Sequence, residues 1–278
     1  MSDTTMPATA SDEGSWERSD VLPHRRNAVL WHSLALAKRN LIKIKRNPIS
    51  ISDAVIAPVT FLIIFVYMFG GAVSGSTHAY LQFTTPAILV LSAITAGMIA
   101  TGVNLSIDIK KGIFDRFRSM PISRSAPLIG SVLADVVRYL VAMITLLVFG
   151  YVIGFRIQTN PWYTLAAAAL TILFGMSLSW VWVLLGMVIK ETASVQTIIA
   201  LSIFPLAFGT DMVAPTKTLP GWLQAWAKIN PVGHTMAACR GLLIGGEIAT
   251  PLIKSLLWSV GLIVVFAPLA VMAYRRRT

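Results

Sequence analysis

Six stretches of this chain run apolar for about twenty residues or more, with polar or charged segments between them. They cover residues 51–73, 84–106, 131–153, 162–188, 193–213 and 252–274. A helix needs about 20 mostly apolar residues to cross a bilayer, so each stretch predicts a spanning helix. The fifth is the weakest, because its apolar centre is short and holds Pro205. The pattern therefore predicts an all-α integral membrane protein with six transmembrane helices over residues 28–278.

Two flanking segments show helical spacing without the length to span. Before the first span, Leu30, Leu34, Ala37, Leu41 and Ile44 form one narrow apolar stripe, with His32, Arg39, Lys43 and Arg46 mostly opposite. This predicts a basic amphipathic helix over 29–47 lying on the inner membrane surface. Pro48 is expected to end it. Between spans five and six, Trp222, Trp226 and Ile229 recur at i, i+4 and i+7 after Pro220-Gly221, and Asn230-Pro231 stops the pattern. A second short helix, over about 234–244, would end at Gly245-Gly246. Both are predicted as surface or re-entrant helices at the outer mouth, shielded by protein or water.

Composition strengthens the membrane reading. Hydrophobic residues make up 55% of the chain and charged residues only 13%, more apolar surface than a soluble domain of this length needs. The net charge of +11 sorts by topology. Seventeen Lys/Arg fall before span one, in the even-numbered connections or after span six, and four fall in the odd-numbered connections. The positive-inside rule then puts both termini in the cytoplasm and reads the basic excess as orientation, with no nucleic-acid partner. Trp162, Tyr163 and Tyr274 fall at predicted interfaces. Residues 1–27 are polar and predicted to be a disordered tail, not a cleavable signal. One cysteine, Cys239, excludes an intrachain disulfide, and four scattered histidines offer no metal site.

The connection between spans two and three is unusually charged. SIDIKKGIFDRFRSMPISRSAP, residues 106–127, holds five Lys/Arg and two Asp. Between Gly112 and Pro121, Ile113, Phe114 and Phe117 share a helical face while Asp115, Arg116 and Arg118 project elsewhere. Two readings fit: a solvated loop that sets topology and dips its aromatics into lipid, or a docking plug for a cytoplasmic partner.

The residues DIKKGIFDRFRSMPISRSAPLIG (108–130), GYVIGFRI (150–157) and PGWLQAWAKINPVGHTMAACRGLLIGG (220–246) resemble those of type-2 ABC export permeases of the daunorubicin/doxorubicin-resistance kind. With the amphipathic helix, the resemblance covers about residues 28–277. It implies that Ile113, Phe114, Asp115, Arg116, Phe117 and Arg118 form a coupling helix docking on a separate ATP-binding cassette subunit. It further implies pairing with a second permease copy or homologue, and export of a hydrophobic or amphipathic cargo, drug or lipid, across a bacterial cytoplasmic membrane. A P-loop needs Gly-Lys followed by Ser or Thr, and no lysine here follows a glycine. ATP and Mg are therefore expected on the partner, with no cofactor and no catalytic residue in this chain. A lipid- or glycolipid-specific permease, or an uncoupled channel or scaffold, are the alternatives.

Charge inside a bilayer costs about 2.5–3.5 kcal/mol per residue on insertion scales, so each case needs a partner or a role. Asp135 and Arg138, three apart in span three, are expected to form an ion pair near the inner interface, as packing or as part of a gate. Asp211 and Glu247 are read as outer-side acids, most simply solvated, though a cationic cargo would feel them. Trp222, Trp226 and Asp211 are thus candidates for the outer mouth. Ala93, Gly97 and Thr101, spaced by four, suggest close helix packing in span two.

Overall fold

The computed structural model describes residues 36–38, 42, 48–113, 126–189, 191–213 and 215–276. Among them there is no strand. The elements are α1 (Pro48–Ser74), α2 (Thr77–Gly97), a π-helical segment (Met98–Val103), α3 (Asn104–Lys110), α4 (Ala126–Ile153), α5 (Pro161–Val188), α6 (Thr192–Phe208), a 3-10 turn (Thr216–Thr218), α7 (Gly221–Ile229), α8 (Pro231–Ile244) and α9 (Ala249–Arg276). Five helical stretches are long and apolar enough to span a membrane. The protein is an all-α, multi-pass membrane protein.

Helix ends follow local chemistry. Pro48 and Pro161 sit at first turns, where the missing N–H costs nothing. Ser76 caps α2 by accepting from the Ala79 amide at 3.1 Å. The predicted second span begins seven residues late. The structure starts α2 at Thr77 because Gln82, Thr84 and Thr85, polar in sequence, are buried by neighbouring segments.

The α2–π–α3 stretch, Thr77–Lys110, is the central span. It runs unbroken for 34 residues, and 71% of its most apolar window is buried within the protein. The corresponding figure for α9 is 11%, which leaves that helix peripheral and its apolar face outward. α1 and α4 pack against α2, and α5 packs against α9. α8 wedges between α2, α5 and α9. A core from Leu62 and Phe65 through Ile88, Met143, Phe174 and Met236 joins these helices.

The fifth predicted span is shortened. α6 is 17 residues and ends at Phe208, not at 213. At 1.5 Å per residue it is about 26 Å long, short of the about 30 Å hydrocarbon thickness. Its Pro205 lies three residues before the end, and residues 209–213 turn back to meet α2. Of the predicted amphipathic helix over 29–47, only 36–38 and 42 are described, and they are helical. There Leu36, next to the predicted stripe, packs on a core cluster while Ile42 is exposed. The tail over 1–27 lies outside the described residues.

Candidate functional site

Two polar assemblies interrupt the apolar bundle, one toward each end. The first lies where α2 gives way to the π segment. Asp135 of α4 is 3% exposed. It accepts from Arg138 Nη1 at 3.3 Å, forming the ion pair that the i, i+3 spacing allows. It also accepts from the Thr101 hydroxyl, across helices. One turn along α4, the fully buried Tyr139 hydroxyl lies 2.7 Å from Ser179 Oγ. Ser179 spends its proton on the Gly175 carbonyl at 3.0 Å, so the tyrosine donates to it. A carboxylate in a low-dielectric interior is tolerable only with such donors around it. The cluster thus binds α4 to the π segment and to α5 through polar contacts.

Glycines make the approach close enough. A Cβ on Gly97 would fall 2.8 Å from the Tyr139 ring, and one on Gly186 would fall 3.0 Å from the Gly102 carbonyl. Gly97 of the predicted small-residue stripe thus lies in close contact with α4. Ala93 and Thr101 are buried as well, and Thr101, although in the π turn, meets α4 at Asp135, one turn from the Tyr139 that Gly97 meets.

Seven residues beyond the π segment α3 ends. Gly112 takes φ +66, a conformation glycine adopts freely, and turns the chain toward the charged loop. Ile113, the first residue of the predicted docking face, packs on a cluster of Leu105, Leu128, Val132, Val183, Met187 and Tyr274, as Leu36 does. The remaining docking residues, Phe114, Asp115, Arg116, Phe117 and Arg118, lie outside the described residues.

The second assembly closes the opposite end. Arg240 of α8 pairs with Asp211 at 2.6 Å and donates through Nε to the Phe83 carbonyl at 3.0 Å. Its guanidinium also lies 3.9 Å from the Phe83 ring centroid. This corrects the expectation that Asp211 is a solvated acid: it is the counter-ion of a half-buried arginine. Tyr80 adds a hydrogen bond to the Val213 carbonyl at 2.8 Å. Together they tie the start of α2 to the loop after α6 and to α8.

Asn230 is the joint of this end and is fully buried. Its amide nitrogen donates to the carbonyls of Leu206 and Gly209, each at 3.0 Å, and its oxygen caps α8 by accepting from the Val232 amide at 3.0 Å. One side chain therefore satisfies orphan carbonyls of α6 and an orphan amide of α8. The spacing in the sequence predicts Asn230-Pro231 as a stop only and the next helix from about 234. The structure begins it at Pro231, and the matching Asn160-Pro161 start of α5 was the available signal. Arg240, a lone cation inside a short apolar helix, was the other signal missed.

Of the two tryptophans expected at the outer mouth, Trp222 is 74% exposed, whereas Trp226 donates its indole N–H to the Pro205 carbonyl at 2.9 Å. His234 donates to the Lys228 carbonyl through Nε2 at 3.0 Å, and partial burial holds its imidazole below the usual value, hence neutral. Among the described residues no His, Cys, Asp and Glu gather into a metal-binding group.

Residues 32–244, which include both assemblies and the charged loop, match the family described as ABC-2 type transporter. The chain belongs to the ABC-2 type transporter family. It is 38% identical over 239 residues to the daunorubicin resistance ABC transporter permease protein DrrB1 of Streptomyces coeruleorubidus, covering 86% of this chain and 84% of that protein. It is 27% identical over 259 residues to the probable doxorubicin resistance ABC transporter permease protein DrrC of Mycobacterium tuberculosis, covering 92% and 93%. A putative transport permease, ycf38, of Cyanophora paradoxa is 29% identical over 212 residues, covering 74% and 72%. Within this ABC-2 chain, both polar assemblies fall inside the family-matched region.

Proposed function

We propose that this chain is the membrane permease subunit of an ATP-binding-cassette exporter, acting on a hydrophobic or amphipathic cargo. The observation that carries this is family membership over 32–244, together with 38% identity to a daunorubicin-resistance permease. Nucleotide and Mg belong to a separate ATP-binding subunit, because this sequence has no Gly-Lys pair to cradle phosphate. The membrane is the bacterial cytoplasmic membrane, with both termini and the 106–127 loop inside. Residues 113–118 dock on the ATP-binding subunit. The packing of Ile113 on the Leu105–Leu128–Tyr274 cluster supports this, since a plug must have a rigid root to transmit force. Asp135 and Arg138 hold the gate closed from within the bundle. Two such permease copies, or this chain and a homologue, enclose the route.

The described spans support a greasy cargo. Asp135 and Arg138, which neutralise each other, are the charged pair in the middle of α4, and no other charge in α4 breaks its apolar course. The test is copurification with the ATP-binding subunit at native expression, followed by efflux of doxorubicin as probe. Capture of that subunit by wild type and its loss on Phe114→Ala plus Phe117→Ala supports docking. Wild-type capture by the double variant removes the docking assignment. Unchanged doxorubicin retention on deletion, with altered surface lipids, redirects the cargo to lipid. No captured ATPase at all makes the chain an uncoupled channel or scaffold.

A further inference from the structure

Where α2 meets α3, the central span changes hydrogen-bonding pattern. Met98–Val103 is π-helical between two α-helical stretches, all within one span. A π turn carries one residue more than an α turn in the same span of backbone, and such turns gather at functional sites. This one sits where the central span meets α4, α5 and α6. Thr101 reaches Asp135 on α4. Gly102 lies against Trp182 of α5 and against Val195 and Ile199 of α6, and the Gly102 carbonyl faces Gly186 of α5. Beyond it, only the seven residues of α3 separate the turn from Lys111 and the charged loop. Trp182, packed here, keeps a buried indole N–H with no acceptor among the described residues. A buried donor left unmade in one arrangement is a group that another arrangement can satisfy.

We propose that the π turn at 98–103 is a register joint in the export cycle, and that Thr101 and Asp135 are positioning residues that hold the register seen here. Passing the extra residue out of the wide turn rotates α3 by about 100° and shifts it by about 1.5 Å relative to α2, one residue's worth of helix. A push on the docking loop travels along α3 as rotation, and the turn absorbs it without moving the tightly sewn opposite end. The Thr101–Asp135 hydrogen bond must break for the turn to close. This rests on the docking reading for the source of the push, but the latch itself does not.

Hydrogen–deuterium exchange separates the two. On the purified full chain alone in nanodiscs, Thr101→Val is expected to speed exchange of amides 99–104 by about two- to tenfold, the range for losing one hydrogen bond, with residues 87–94 unchanged. Wild-type exchange in this isosteric variant overturns the latch. In the complex with the ATP-binding subunit, trapping ATP is expected to change exchange at 99–104 and not at 87–94. Equal exchange with and without ATP overturns the joint, while a chain that captures no subunit refutes docking and leaves the latch result standing. Deleting Ile99, which is half exposed to the outside of the bundle, closes the wide turn and keeps both flanking faces in register. The deletion is expected to leave subunit capture intact and abolish the ATP-dependent change together with doxorubicin efflux. Wild-type efflux by the deletion variant also overturns the joint.

Discussion

Asn230 carries more structure than any aromatic around it. Its carboxamide spans a gap between two helix ends that water cannot fill, because the residue is fully buried. Asn230→Ala removes donors from Leu206 and Gly209 and the cap of α8. It should lower stability by about 1–3 kcal/mol in a detergent melt, and Asn230→Asp should not rescue it, since a carboxylate has no N–H to give. Arg240 and Asp211 act as a unit. Asp211→Asn and Arg240→Met should each destabilise, and the double variant should cost less than their sum, with a coupling of about 0.5–3 kcal/mol in the cycle. Cys239 is buried against Ala167 and Thr171, so a maleimide should leave the native chain unmodified and react only after unfolding. Labelling of the folded protein would show α8 seated elsewhere.

Among the elements, α2 and α4 are held at the distance of a missing methyl. Gly97→Ala puts a carbon within 2.8 Å of the Tyr139 ring, where Tyr139–Ser179 ties α4 to α5 and Thr101–Asp135 ties the central span to α4, so the helices cannot part without straining these bonds. The variant should lower the melting temperature, and Tyr139→Leu should recover part of the loss by making room. If Gly97→Ala melts like wild type, the helices are not packed this way. The shortness of α6 has a comparable cause. Its last carbonyls are claimed by Asn230 and Trp226, so tertiary partners, rather than the next apolar residue, decide where the helix stops.

At the scale of the whole molecule, the two ends differ in kind. One end is laced by Tyr80, Asp211, Asn230 and Arg240; the other funnels α3, α4, α5 and α9 into an apolar cluster at the root of the charged loop. With one end tied in this way, the proposed joint at 98–103 would convert a local push into a tilt. Orientation is testable because Cys239 is silent. Asp115→Cys should react with a membrane-impermeant maleimide only in inverted vesicles, and Lys217→Cys only in intact cells. The opposite pattern reverses the charge-based topology.

The sequence alone determined what the bilayer demands. Apolar runs of spanning length, the seventeen-to-four distribution of basic residues and the i, i+3 pairing of Asp135 with Arg138 are all readable from spacing, because transfer energies act residue by residue. The family followed from residues contiguous in the chain. What the tertiary structure decided was every feature whose cause lies on another helix. Asp211 is not solvated because Arg240, 29 residues away, reaches it. The start of α2, polar in composition, is helical and buried because the 212–213 turn and α8 cover it. The π turn leaves no mark in composition or period: it is fixed by contacts to α4, α5 and α6 that the chain makes only once folded.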